Sequence, residues 1–242
     1  MCYTISINLT KAALEKQFGA KTEKLRDFKP RYIVSAFSLP ELPAITTEEP
    51  GEFVPLHWGL IPYWVKDEKS AAEIRVKTMN ARSETIDEKP SFRESFKKRR
   101  CLIPVQGFFE WHELGGKKYP FYIHLKNEQP FALAGIYDKW VNKETGEIIN
   151  SFSIVTTAAN PLMEKIHNSK KRMPVILPAH SESKWLDINA SVQASKDLCL
   201  PFDEIEMEAH PVAKIIPSKS DSEQSEVVLK PVHYPELGLF FN

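Results

Sequence analysis

The chain has 242 residues, with 32 lysines and arginines balanced by 32 aspartates and glutamates, 42% hydrophobic residues, 18 prolines and nine glycines. This length suits one large domain or two small ones at roughly 100–200 residues each, and its apolar content excludes disorder throughout. Zero formal net charge gives no overall basic field, so any attraction for nucleic acid must come from local clusters of Lys and Arg.

Cys2 to Asn8 alternates as a strand, Thr10 caps a helix over Lys11 to Phe18, and Gly19 ends it. Arg31 to Phe37 and Phe53 to Trp58 read as strands, separated by a Pro- and Glu-rich loop from Leu39 to Pro50. Ser91-Phe92-Arg93-Glu94 has the pattern of a capping box, opening a helix that runs into the basic cluster Lys97 to Arg100. From Cys101 to Thr157 a meander of strands is predicted, turning at Gly115-Gly116, Asn127 to Pro130 and Lys143 to Gly146. Asn160-Pro161 starts a helix carrying Met163 and Ile166, which leads into a second basic stretch from Lys165 to Arg172. Pro174 and Pro178 bracket a short apolar strand, 181–199 reads as helix, 203–212 as strand and 218–225 as a polar loop. Strands broken by short helices, without regular alternation, predict an α+β fold on mostly antiparallel sheet, as a single domain over residues 1–242.

No apolar run approaches the ~20 residues of a membrane span, and Met1-Cys2-Tyr3-Thr4 lacks the pattern of a secretory signal, so the expected location is the cytoplasm. Cys2, Cys101 and Cys199 fit neither a disulfide framework nor a CxxC metal site, and no HxxxH or HExxH spacing occurs, so no metal is expected. No glycine-rich phosphate loop is present, so no nucleotide cofactor is expected either.

Removal of Met1 makes Cys2 a 1,2-aminothiol. Its α-amine, with a reference pKa of about 7.7–8.0, is partly neutral at cellular pH; it can form an imine with an aldehyde, which the thiol then closes to a thiazolidine. From its position alone Cys2 reads first as a small apolar residue of a terminal strand. Thr78 to Thr85 holds Asn80, Arg82 and Glu84, an amide, a guanidinium fork and a carboxylate suited to sugar and phosphate, or else a surface Arg82–Glu84 pair beside a turn. In Gly107-Phe108-Phe109-Glu110-Trp111 burial of Glu110 would raise its pKa into a useful range, whereas strand alternation also allows it to face solvent. His167 ends a helix, where the dipole favours the charged imidazolium.

The ordered set Met1-Cys2, Trp58-Gly59-Leu60-Ile61-Pro62 with Trp64, Asn80-Ala81-Arg82-Ser83-Glu84, Gly107 to Trp111, and Ile166-His167 followed by Arg172-Met173-Pro174 resembles the SOS response-associated peptidase (SRAP) family. The resemblance implies sheets curled into a pseudo-barrel with short flanking helices. Its implied partner is single-stranded DNA containing abasic sites, so the protein would be nucleoid-associated when bound. Carried over by motif, Cys2 is the nucleophile, Asn80 positions the sugar, Glu110 shuttles protons and His167 protonates the ring oxygen. Arg82 holds flanking phosphate, while Trp64, Thr156 and Arg172 line the DNA path. Lyase activity and autocatalytic removal of Met1 are also implied. Here Tyr3-Thr4 stands where relatives often carry Gly-Arg, and the spacer from His167 to Arg172 is longer than usual. An N-terminal-nucleophile amidohydrolase and a non-enzymatic DNA-binding module are the competing readings.

Overall fold

The computed structural model describes residues 2–214 and 225–241, so most of the polar stretch 218–225 lies outside the described residues. The first strand, β1 (Thr4–Ile7), is buried along its whole length. Helix α1 (Lys11–Phe18) begins where the Thr10 hydroxyl accepts the Ala13 amide at 3.1 Å and ends at Gly19, whose φ of 67° suits glycine. Strand β2 (Arg31–Ser35) follows.

The predicted loop from Leu39 to Pro50 is instead largely strand β3 (Glu41–Thr46). Proline argues against central strands because it cannot donate to a ladder. Here Pro43 faces Pro55 of β4 (Phe53–Trp58), and on the other side the next strand pairs only with Ile45 and Thr46, so little is lost. Helix α2 (Glu68–Arg75) was not anticipated; Asp67 caps it by accepting the Ser70 amide at 2.8 Å. Strand β5 (Asn80–Arg82) comes next.

Helix α3 (Arg93–Lys98) lacks the expected capping box: Phe92 holds the cap position and no side chain caps the first turn. The basic run after it is not a surface patch. Arg100 is fully buried and donates to the carbonyls of Phe96 and Lys97 at 2.8 and 2.9 Å, of Trp185 at 2.6 Å, and of Asp187. Arg99 pairs with Asp138 at 3.1 Å, which leaves Lys97 and Lys98 exposed.

The predicted meander is present as β6 (Arg100–Val105), β7 (Gly107–Leu114), β8 (Lys117–Leu125), β9 (Phe131–Val141) and β10 (Ile148–Ala158). Gly115 and Gly116, at φ 56° and 75°, supply the positive dihedrals of a two-residue hairpin turn. A Cβ on Gly107 would come within 2.6 Å of both the Tyr122 ring and the Ile123 carbonyl, so only glycine lets β7 and β8 close here.

Helix α4 (Pro161–Ile166) is capped by the Asn160 carboxamide, which accepts the Met163 amide at 2.8 Å. Short strands β11 (Arg172–Pro174) and β12 (Ile176–Leu177) follow. The predicted helix over 181–199 is broken into α5 (Ala179–Leu186) and α6 (Val192–Lys196), because Ser191 starts a new cap. Strand β13 (Met207–Pro211) occupies part of the predicted 203–212.

Five strands form one sheet in the order β13-β8-β7-β1-β2. In the other, β10, β4, β3, β6 and β9 pair in sequence, and β9 pairs back onto β10, closing a five-stranded barrel. Pairing is antiparallel except that β4 and β5 both run parallel to β10. The expected α+β class with curled sheets and short flanking helices holds. The main apolar cluster joins Ile5, Phe108 and Phe121 of the first sheet to Phe53, Leu102, Ile136 and Phe152 of the barrel.

Candidate active site

Thr4 pairs with Phe109 across β1 and β7, and continuing this antiparallel register brings Cys2 and Tyr3 beside Glu110 and Trp111. Cys2 is fully buried, with Sγ 3.9 Å from the Thr4 carbonyl oxygen. Burial pushes its thiol pKa well up, and the charge of Glu110 adds to the effect, so the sulfur stays protonated.

Glu110 points inward, settling the choice that strand alternation left open: it is 3% exposed and shares its strand face with Phe108 of the main core. Burial raises its carboxyl pKa to about 7. His167 follows α4 and is also buried. Its Nδ1 lies 2.9 Å from the Arg172 carbonyl oxygen, and because a carbonyl only accepts, Nδ1 carries the hydrogen. In the neutral ring Nε2 therefore holds the lone pair, 3.7 Å from Glu110 Oε2. The expectation of a charged imidazolium is corrected: burial lowers the His167 pKa to about 4, outweighing the dipole of a six-residue helix. At neutral pH the carboxyl is about half protonated, and whatever exchangeable proton the pair holds sits on it and not on the imidazole.

The Asn80-to-Glu84 segment meets β10 and β11. Asn80 pairs with Ile154 and Arg82 with Thr156. Both polar atoms of the Asn80 carboxamide are buried with no hydrogen-bond partner among the described residues. Such an amide ordinarily costs about 1–3 kcal/mol unless something satisfies it. Arg82 is exposed and does not form the surface pair with Glu84. Glu84 instead takes a two-pronged hydrogen bond from Arg172, with Nη2 to Oε2 at 3.0 Å, and these bonds hold its carboxyl below the usual range although burial alone would raise it. Arg172 Nη2 also donates to the Thr156 carbonyl at 2.8 Å and its hydroxyl at 3.1 Å. Thr156 is fully buried and Arg172 nearly so, and their side chains fasten β11 and Glu84 to β10. This clamp was not legible in the sequence, since its members are 16 and 88 residues apart.

His167 joins the two groups, with Nδ1 against the Arg172 carbonyl and Nε2 toward Glu110. A cavity of about 370 Å³ opens above Glu110 and His167, walled by Tyr3, Trp111 and Lys170. Trp64 does not line it. That residue is 46% exposed, donates to the Pro90 carbonyl at 3.3 Å and lines a separate cleft of about 350 Å³ with Tyr63 and Arg93. Among the described residues no cluster of three or more His, Cys, Asp or Glu could hold a metal, and no helix is long and apolar enough to cross a membrane.

The family profile described as SOS response associated peptidase (SRAP) matches residues 1–219. The chain belongs to the SRAP family. Among SRAP relatives, the abasic site processing protein YoqW of Bacillus subtilis (strain 168) is 44% identical over 169 residues, covering 69% of this chain and 72% of that protein. The abasic site processing protein HMCES of Mus musculus is 32% identical over 192 residues, 67% of this chain and 52% of that longer protein. A crystal structure of a protein from Bacteroides thetaiotaomicron superposes with a TM-score of 0.89 at 38% identity, over 96% of this chain and 100% of the other. Of the SRAP motifs that carried the sequence resemblance, the ones holding Glu110 and His167 meet at the cavity, and Arg172 is joined to them through the His167 ring.

Proposed function

We propose that this protein captures abasic sites in single-stranded DNA as a covalent thiazolidine on Cys2, exposed by removal of Met1. The observation that supports this reading best is the Glu110–His167 pair, 3.7 Å apart on the wall of one small cavity, with Cys2 buried close enough for the charge of Glu110 to raise its thiol pKa. Abasic deoxyribose is mostly a closed hemiacetal, so ring opening must come first. Neutral His167 takes the proton of the C1′ hydroxyl through Nε2, the C1′–O4′ bond breaks, and Glu110 gives its proton to O4′. This reverses the donor expected from the sequence, for the reason given by the two pKa values. The proton then returns across the 3.7 Å gap from His167 to Glu110.

The Cys2 α-amine adds to the aldehyde and the carbinolamine loses water, assisted by the Glu110 proton, to leave an imine. The Cys2 thiol then adds across C=N, forming the S–C1′ bond and passing its proton to nitrogen. A buried protonated thiol suits this order, amine first and sulfur second, better than attack of a thiolate on an amide, which disfavours the amidohydrolase reading. The unsatisfied Asn80 carboxamide is suited to the sugar hydroxyls, and exposed Arg82 to a flanking phosphate. Trp64 offers an exposed ring on which a base can stack. Thr156 and Arg172 act by holding the site together. While the imine persists its C2′ proton is acidic, so β-elimination of the 3′ phosphate competes with ring closure. Cys2→Ser, which keeps the amine, should therefore cleave the strand. The peptidase activity is limited in this reading to release of Met1.

The test mixes protein, with Met1 removal verified by mass, with single-stranded DNA carrying one abasic site. A complex surviving denaturation without reductant, and absent in Cys2→Ala, is the expected result. DNA binding without any such complex from mature protein would overturn the cross-linking chemistry and leave a binding module.

A further inference from the structure

The cavity over Glu110 and His167 has an outer rim that the chemistry above does not use. On one side Tyr3 packs against Phe37, with ring centroids 5.1 Å apart and planes 30° from parallel. Phe37 lies in a single turn of 3-10 helix (Ala36–Ser38) and is 65% exposed, although it is a large apolar ring beside a polar site. On the other side are two exposed lysines, Lys118 at the start of β8 and Lys170 in the turn between α4 and β11. Neither lysine makes an ion pair among the described residues, although Glu113 also lines the rim.

Lys170 is held there by construction. The Asn168 side chain bonds both polar backbone groups of Glu113, accepting from its amide at 3.0 Å and donating to its carbonyl at 2.8 Å. The Lys170 and Lys171 amides point back to the His167 carbonyl, at 3.3 and 2.8 Å, and Lys171 takes a φ of 50°. The turn is thereby pinned to β7 beside Glu110. An exposed aromatic face opposite two cations, on the rim of a sugar-sized cavity, has the chemistry of a nucleotide: a flat apolar base on one side and a phosphate on the other.

Resting on the function proposed above, we infer that this rim is a subsite for the nucleotide next to the abasic sugar, its base stacked on Phe37 and Tyr3 and its phosphate held between Lys118 and Lys170. The neighbour is selected by having a base at all, since a ring face discriminates little among bases. The subsite orders the strand so that the abasic sugar falls over Glu110.

The test uses mature full-length protein and single-stranded oligonucleotides with one abasic site, whose neighbour on the 5′ or 3′ side is an ordinary nucleotide or a baseless tetrahydrofuran spacer. Cross-linking is read as initial rate at subsaturating protein and as final yield. Replacing the base on one side should slow wild type about tenfold, the size of one stacking interaction, without lowering the final yield. Phe37→Ala should be slow on both substrates alike, and Phe37→Trp should restore the difference. Lys118→Gln with Lys170→Gln should make the rate indifferent to a neutral methylphosphonate at the linking phosphate and shallow the log-affinity against log-salt slope by roughly 0.7 for each phosphate that the variant no longer neutralises. Equal sensitivity to the missing base in wild type and Phe37→Ala would overturn the subsite while leaving the cross-linking reading intact. If wild type cross-links nothing, binding to DNA with tetrahydrofuran at the lesion still decides. About tenfold weaker binding by Phe37→Ala supports the subsite, and unchanged binding overturns it.

Discussion

Arg100 and the Glu110 pocket both bury polar side chains. The Arg100 guanidinium donates to four backbone carbonyls at the ends of α3 and α5, where a helix terminus leaves carbonyls short of intrahelical donors. In the pocket, burial leaves Glu110 hard to ionise and His167 hard to protonate. The first arrangement is complete within the chain and serves folding. In the second, burial works against the charged forms, and stability is given up there so that protons can move. Burial alone therefore does not separate a structural polar residue from a chemical one; what separates them is whether the buried groups can still exchange a proton.

The contrast can be broken at either end. Arg100→Met removes the guanidinium donor from four carbonyls, of which only Asp187 keeps another among the described residues, the Ala190 amide, and should cost about 3–5 kcal/mol in urea unfolding, with the cross-linking rate per folded molecule unchanged. A loss of chemistry in a stably folded Arg100→Met would blur the distinction. Glu110→Gln should slow cross-linking about a hundredfold, the low end for one acid–base group, without lowering Tm at about pH 8.

The pH dependence sharpens this further. Because the folded Glu110 pKa is raised to about 7, its contribution to stability is greatest below the unfolded value of about 4.5 and is lost as pH climbs to about 7. The folded His167 pKa is lowered to about 4, so its contribution is present above the unfolded value of about 6.5 and is lost as pH falls toward 4. Between about pH 4.5 and 6.5 the two oppose each other. Glu110→Gln should thus make stability rise more steeply with pH across that window than in wild type, and an unchanged slope would refute the assigned protonation states.

The smallest effect is expected at Asn80. Since its amide has nothing to lose, Asn80→Ala should change stability by no more than about 0.5 kcal/mol while slowing cross-linking about tenfold. A stability loss above about 1.5 kcal/mol would mean that the amide is satisfied in solution.

Features set by adjacent residues were legible in the sequence: Thr10 and Gly19 bounding α1, the Gly115-Gly116 hairpin, Asn160 before α4. Strand β3 was hidden because its prolines speak against a strand and only pairing geometry excuses them. Three-residue β5 has no period of its own and exists through β10. Within the site, Cys2, Asn80, Glu110 and His167 could be picked out by residue type. Their protonation could not, since a helix end suggests a charged His167 and only burial reverses that. Arg100 in a run of four cations looks exposed until α5 covers it. The Arg172–Glu84 bond displaces the nearer Arg82–Glu84 pair because the sheet brings distant residues closer than the chain does.

Strand β1 lies between β2 and β7, yet its β7 partners are synthesised about a hundred residues after it. At ~5–20 residues per second, the nascent amino terminus waits on the order of 5–20 s before that side of the sheet can form. The first strand made must wait for the seventh before both its edges are paired. On the function proposed above, the Met1–Cys2 bond thus stays accessible for seconds during synthesis, before folding buries the cysteine.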